Sequence, residues 1–573
     1  MNRAVLACLL SLALGACGDT SRETTAQSAP SAPAAMDGHT MPQVPTSIAA
    51  WAQGAQIFEG LGNAHRAVTT SSPEAQKYFD QGLRLLWAFN HDESTRSFAK
   101  AAELDPNCAL CYWGVAFTVG PNYNMPMMAS ERAKVAWVAL AQAQQHAASA
   151  SPIERGLIAA LSKRFVGDQP LDASNLTPLL VAYADAMQAL AQQVPDDADV
   201  QTLYAESLMS IRAWKLWSAD GKPAEGTEAA VAALERALAS DPAHPGANHY
   251  YVHALEASPN PAQALVAAER LREMMPAAGH LVHMPAHIMQ RVGRYEDASE
   301  ANRKAAVADE IYYAKTRAPD YYPMYTGHNY QFLAASAAME GRQKETLEAV
   351  AAMRRAITDD MLLTWPGYDW MYMSLDYTAC VRFGCWDDLL AKPAPNPKLP
   401  VLVGAFLFGR TVSFAAKGRI EDAKATLAEL ETMSATVPAD ALAGFSTARD
   451  VFGIAIAVAK ARIASAENRP QDAIALLEDA VAREDNLPYN EPPDWFVPAR
   501  HDLGAVLLTA GDAAKAEAVY RKDLEIHPEN GWSLFGLAAA LRKQGKTAEA
   551  DAVQRRFDSA WSRSDVSIAS SAF

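Results

Sequence analysis

LGAVLLTAGDAAKAEAVYRKDLEIHPENGWSLFGLAAALRKQGKTAEA, residues 503–550, decides the fold. Leu503-Gly504, Leu507, Gly511 and Ala516 return 34 residues later as Leu537-Ala538, Leu541, Gly545 and Ala550, with Tyr520 and Pro528 between them. A period of that length is one helical hairpin. The small residues mark where two amphipathic helices approach closely. The mid-repeat glycine permits the turn, and the proline after the second helix stops it. The same register appears at Tyr78, Gly82, Leu85, Phe98, Ala101 and Pro106. In the middle, Ala264, Ala268, Leu271 and Pro276 recur 34 residues on as Ala298, Asn302, Ala305 and Glu310. Further units read around Gly418-Ala423-Leu427 and Asn468-Ala473-Leu477. One hairpin cannot bury its apolar face alone, so such units stack into a superhelix with one concave surface.

This pattern resembles the tetratricopeptide (TPR) repeat family. The resemblance implies an all-α, TPR-type α-solenoid, a right-handed superhelix of helix-turn-helix repeats over residues 51–573. Clear repeats fall near 75–108, 245–312, 327–355, 404–435, 454–487 and 497–564. The register is looser around 125–240 and 355–400, where insertions such as GPNYNMPMM (120–128) and WSADGKPAEG (217–226) are expected.

Composition agrees with a folded chain: half of the 573 residues are apolar and a fifth are charged. The formal charge is −16 and no Lys/Arg-rich run is present, so a nucleic-acid partner is excluded. At the N-terminus, Arg3 precedes the short apolar stretch AVLACLLSLALGA and then Cys17. That stretch is too short for a finished membrane span. Leu14-Gly15-Ala16-Cys17 resembles the lipobox of bacterial lipoproteins. The resemblance implies that residues 1–17 hold a signal peptide with its lipobox, that Cys17 carries the lipid, and that two or more acyl chains fix the protein to a membrane. The plainer alternative is an ordinary secretory signal with an incidental cysteine. Gly18 after the cysteine, where Asp would signal inner-membrane retention, makes the outer membrane the default site in the cell envelope, facing the periplasm or the surface. Residues 18–50 read as a Ser/Thr/Pro/Ala-rich disordered tether. In it, Met36, His39 and Met41 are either soft-metal ligands or polar filler.

Cys8 leaves with the signal, so Cys108, Cys111, Cys380 and Cys385 remain as two close pairs. In an oxidising compartment these predict two local disulfides. A redox or metal CxxC is the alternative, but no second CxxC and no thioredoxin-like βαβ pattern accompanies it.

The candidate site is a histidine cluster. With 13 histidines in 573 residues, a stretch of 80 should hold about two; residues 249–328 hold six, His249, His253, His280, His283, His287 and His328. The TPR resemblance implies that first-helix positions 2, 5, 9 and 12 line the groove. Counted from Pro245, His249, His253 and Glu256 fall at positions 5, 9 and 12. Counted from Gly279, His280, His283 and His287 fall at 2, 5 and 9, and His328 is at 2 of a repeat starting at Gly327. Histidines four apart on a helix stand with Cβ atoms roughly 5–6 Å apart, so a pair can share an ion. Neutral imidazole suits a divalent transition metal, Cu, Fe or Zn. Glu256 adds an oxygen ligand or orients an imidazole. His249, His253, His283 and His287 are the expected core ligands, with His280 and His328 as further ligands or acid/base groups. Pro285 is expected to delay or kink its helix. Competing readings are haem or another ligand, or a plain polar groove beside Tyr250, Tyr251, Tyr325 and Asn329. One ion or two fits the count; a dinuclear copper or iron centre would suit oxygen chemistry, and a mononuclear site hydrolysis.

NHYYVHALEASP (248–259), GHLVHMPAHIMQRVGRY (279–295), YNEPPDWFVPARHDLGAVLL (489–508), PENGWSLFGL (528–537) and FNHDES (89–94) also resemble a bacterial family of His-rich TPR proteins. That resemblance implies one structural unit and no particular reaction. His65 and His91 would join the cluster if the superhelix curls back, though packing is the plainer role for His91. Met125, Met127 and Met128 are copper-type thioethers or loop packing. Glu491, Trp495 and Arg500 form either a partner surface or a cap on the penultimate repeats. No Walker loop, GxSxG, HExxH or dinucleotide fingerprint occurs. Two functions therefore stand: a periplasm-facing metalloprotein, whose ligands would suit a metal-dependent oxidoreductase or hydrolase, or a non-catalytic scaffold that grips a peptide or envelope protein in its groove.

Overall fold

The computed structural model describes residues 44–172, 174–316, 321–365 and 367–573. The expected signal peptide, Cys17 and Met36, His39 and Met41 lie outside them. Apart from one two-stranded pairing, Leu442–Ala443 with Ser446–Thr447, and isolated bridges, the described residues are helices, 3-10 turns and connections. Neighbours in sequence pack as antiparallel hairpins: Pro73–Trp87 on His91–Leu104, Pro400–Ala416 on Ile420–Thr436, Ala448–Ala466 on Pro470–Glu484, and Gly531–Lys543 on Thr547–Ala560. The fold is an all-α solenoid of TPR-type hairpins.

The small residues of the repeat do what their spacing predicts. A Cβ on Gly82 or Gly114 would meet the Phe98 ring within 3 Å, and one on Gly504 or Gly536 would meet Tyr520. Ser47 caps a short helix, Ile48–Ala52, and its Trp51 is buried against the first repeats, an aromatic anchor where the chain enters the array.

Two apolar cores form, one drawn mostly from residues 51–301 and one from 324–553. Contacts far apart in sequence tie the array back on itself. The Pro73–Trp87 helix packs on the Pro245–Leu255 helix. The Trp214 ring meets Phe445 at 5.5 Å, and the Trp532 indole N–H donates to the Ala338 carbonyl at 2.7 Å. The histidines lie at the seam between the two cores.

Cys108 and Cys111 form a disulfide. Cys380 and Cys385 do not, contrary to expectation: both are free thiols, at the end of the Leu375–Phe383 helix and at the turn through Gly384. There the two side chains are hydrogen-bonded to each other, which raises the Cys380 thiol and lowers that of Cys385 to about 7.

Candidate metal centre

Four helices carry the six histidines. His249 and His253 stand one turn apart on Pro245–Leu255. This helix starts at His244, whose Nδ1 accepts from the Ala247 N–H while Nε2 is 2.9 Å from Asp199. Gly246 lies under the Trp87 indole, where a Cβ would come within 2.5 Å of the ring. His280 and His283 lie on Gly279–His283, and His287 on Pro285–Arg291. His328 lies on Tyr322–Met339.

Pro285 kinks its helix. Lacking an N–H, it cannot extend the ladder, and the His287 N–H donates to the Met284 carbonyl at 3.2 Å instead of one turn back. His280 and His283 share the helix before Pro285 but join different groups, and His283 groups with His287 across the proline. A ring nitrogen each from His249, His253 and His280 lie within 4.8 Å of one another, and so do those of His283, His287 and His328. The structure thus pairs the histidines as two triads, not as the four-histidine core with two extras that spacing suggested. His280 and His283 meet across the triads with ring centroids 5.9 Å apart, and so do His253 and His287. Within a triad the spacings are 4.8 to 6.1 Å, so the two groups adjoin.

Four of the six rings have their Nδ1 hydrogen-bonded to an acceptor, and that of His287 stands in an ion pair. His249 Nδ1 donates to the Trp87 carbonyl at 2.6 Å. His253 Nδ1 is 2.9 Å from one Glu256 oxygen, and His287 Nδ1 is 2.5 Å from the other. His283 Nδ1 donates to Asn302 Oδ1 at 2.7 Å, because the Asn302 amide N–H is spent on the Ala298 carbonyl. His328 Nδ1 donates to Gln331 Oε1 at 3.0 Å, since the Gln331 amide N–H is held by the Met371 carbonyl. Each tie places a proton on Nδ1 and turns Nε2 toward the cluster, as the outer partners of metal-bound imidazoles do. In the first triad the Nε2 atoms of His249, His253 and His280 are all buried and have no hydrogen-bond partner. In the second, His283 Nε2 and His287 Nε2 lie 2.8 Å apart.

Electrostatics follow from enclosure. Burial pushes the imidazolium forms of His249, His280 and His283 well below their ordinary value, and that of His328 to about 3. Burial also outweighs Glu256 at His253 and lowers it. Burial would raise the Glu256 carboxyl, but His287 and His253 hold it at about 2. At His287 burial is overcome by Glu256 and Glu491, and the ring is raised to about 9. Without an ion, a proton on His287 Nε2 can therefore bond His283.

Two phenylalanines close the cluster. Phe89 lies 4.3 Å from His249, 5.6 Å from His253 and 5.3 Å from His280. Phe332 lies 4.9 Å from His283, 4.7 Å from His287 and 5.2 Å from His328. Phe89 holds a left-handed backbone, φ 55°, and Trp214, whose ring is 5.4 Å from His253, has φ 62°. Such strain in non-glycine residues persists where surrounding packing imposes it. The expected open groove is therefore corrected. His249 and His283 are 0% exposed, and His253, His280, His287 and Glu256 are buried, because the first hairpin, the Tyr123 insertion and the 489–495 segment fold over them.

Other expectations change as well. Glu491, Trp495 and Arg500 form no surface patch; all three are buried. Glu491 reaches within 3.5 Å of His287 Nδ1, and neither of its oxygens has a hydrogen-bond partner. Burial raises its carboxyl, against the pull of His287. Trp495 stacks on Trp370, and Arg500 pairs with Asp485. His65 pairs with Asp80 at 2.8 Å, away from the cluster. His91 stacks on Phe89, which separates it from the triads. Met127 is exposed while Met128 is buried. Sequence reasoning missed Phe89, Phe332, Asn302, Gln331 and the role of Glu491. The stretches FNHDES and YNEPPDWF, set apart by their likeness to the His-rich proteins, carried the only signal for Phe89 and Glu491.

No family model matches the chain, and no curated protein sequence matches it. Among solved structures, it is similar to a human IFIT1 dimer with PPP-AAAA, at 13% identity over 83% of this chain and 88% of that one, with a TM-score of 0.30. It is similar to yeast Tom70 at 12% identity over 85% and 90% of the two chains, with a TM-score of 0.27. For the P58(IPK) TPR domain the values are 13%, 82% and 99%, and 0.19.

Proposed function

We propose that the chain is a dinuclear transition-metal protein. One ion is held by His249, His253 and His280, and a second by His283, His287 and His328. The observation that carries this reading is the set of three buried, unpartnered Nε2 atoms in the first triad. Each would cost about 1–3 kcal/mol if left unmet. An ion with bonds near 2.0–2.1 Å meets all three at once after small ring rotations. Glu256 spans the two triads through His253 and His287 and supplies negative charge without becoming a ligand itself. An all-imidazole donor set, with no carboxylate in either triad, favours copper over iron, and copper heads the affinity order for such ligands. A pair of such ions supplies Lewis acidity and two adjacent one-electron centres.

The chain's own residues keep every imidazole but that of His287 neutral by burial, fix tautomers through Nδ1, and exclude bulk water with Phe89 and Phe332. The scaffold reading loses support, because the histidines that would grip a peptide are enclosed. The same proposal takes the lipobox at face value: Cys17 anchors the protein in the cell envelope, and an oxidising compartment suits the Cys108–Cys111 disulfide.

Metal analysis of the soluble chain, begun at residue 44, tests it. The parent should carry two ions. His249→Ala and His283→Ala should each keep one, and the double variant none while remaining helical. A folded parent that takes up no copper, zinc or iron on reconstitution would end the proposal.

A further inference from the structure

A cleft opens beside the first triad, with His280 in its lining. Glu59, Ile311 and Lys315 frame its mouth, Leu61, Ala308 and Tyr312 line its wall, and His280 lies at its inner end. Its roof is the segment that follows the Ile48–Ala52 helix. This segment is pinned where the Ala277 N–H donates to the Gly60 carbonyl at 3.0 Å and where Gln56 Nε2 donates to the Lys315 carbonyl at 2.9 Å. The roof is also pressed close: a Cβ on Gly62 would sit 2.8 Å from the Met274 carbonyl oxygen.

Two properties limit what can enter. The space measures about 30 Å³. A site of roughly 10–15 Å³ takes one water, so this one takes a molecule of two or three heavy atoms and no ring. The inner wall is also apolar in effect. The Tyr312 hydroxyl is turned to Glu93 at 3.2 Å and the Tyr322 hydroxyl to Asp309 at 3.1 Å, so both present their rings. Among the described side chains of the inner lining, Asn90 and His280 are the polar ones not turned away in this manner. An ion would lose its hydration there without compensation.

We infer that this cleft admits a small neutral diatomic molecule, of the dioxygen or nitric oxide class, to the ion on His249, His253 and His280. The inference rests on the two-ion reading for what lies at the inner end, and on the cleft alone for what can pass. It gives the centre a gas-sized ligand and rules out aromatic substrates, which need a wider approach.

Xenon is the probe for the cleft itself, since apolar cavities bind it. Crystals of the soluble chain under xenon should show an atom between Ala308 and His280, lost in Ala308→Leu. Ile311→Trp, at a half-exposed surface position, covers the mouth without disturbing the core. In the copper-loaded, reduced protein, carbon monoxide should bind rapidly. Both substitutions should slow it by roughly tenfold or more, as expected when access limits association. Azide, being charged, should enter the oxidised protein far more slowly than carbon monoxide enters the reduced one. Xenon elsewhere only, or a carbon monoxide rate that neither substitution changes, would overturn the inference. A protein that binds xenon in the cleft but takes up no ion would instead overturn the two-ion reading and leave the cleft with no centre to serve.

Discussion

At the residue scale the decisive feature is which ring nitrogen is tied. Trp87, Glu256, Asn302 and Gln331 present acceptors to Nδ1, and the donors that could have reversed Asn302 and Gln331 are already engaged. Glu256 serves both triads, so its loss should be felt by both ions. Glu256→Ala removes both carboxylate oxygens, the one at His253 and the one at His287. Outer partners of this kind are worth about 10–100-fold in metal affinity. Titration against a competing chelator should show both sites weakened to that extent. Weakening of one site alone would mean that Glu256 does not bridge them. Sequence gave access to the seven residues because histidines at repeat positions 2, 5 and 9 stand out from packing residues. Asn302, Gln331 and Phe332 did not stand out, since Asn, Gln and Phe are ordinary in a helix and acquire their roles only from what packs opposite.

At the scale of elements, the repeat register was legible because glycines and alanines must recur where helices cross, as Gly504 and Gly536 do over Tyr520. The division of the histidines into two triads was not, because it depends on which neighbouring helix each ring meets. Pro285→Ala should restore the missing backbone N–H between His283 and His287 and shift His287 relative to His283. The expected result is a chain of unchanged or higher helicity with the second ion lost or weakened and the first retained. Retention of both ions with unaltered affinity would show that the kink is incidental. A second element-level expectation concerns the start of the Pro245–Leu255 helix. Burial would raise the Asp199 carboxyl, but His244 and Arg66 hold it at about 2. A depressed carboxylate stabilises the fold fully above its ordinary value of 3.8, and that stability is lost as the pH falls toward 2. Thermal melts of Asp199→Asn should therefore differ most from the parent near neutral pH and converge with it in acid. Asp197, which shares Arg66, remains in the variant and keeps part of the acid dependence.

At the scale of the molecule, the centre is assembled from segments that the sequence keeps far apart. Residues 240–340 contain all seven candidate residues, yet Trp87 and Phe89 come from the first hairpin, Tyr123 and Trp214 from the looser repeats, and Glu491 from near the end. Binding should therefore be coupled to the folding of the whole array. An ion that binds only the folded chain adds RT ln(1 + [L]/Kd), about 2.7 kcal/mol per site at a free concentration a hundred times Kd. The melting temperature of the soluble chain should rise with free ion, fall on chelation, and respond less in His249→Ala, where one site remains. The excised 240–340 piece should bind far more weakly, because the Trp87 carbonyl and the Phe89 cover are gone and His249 regains water. Equal affinity in the fragment would make the enclosing repeats mere packing around a self-sufficient motif. Loss of affinity would mean that the solenoid closes on itself in order to build the site, with the curl of the superhelix acting as part of the ligand field.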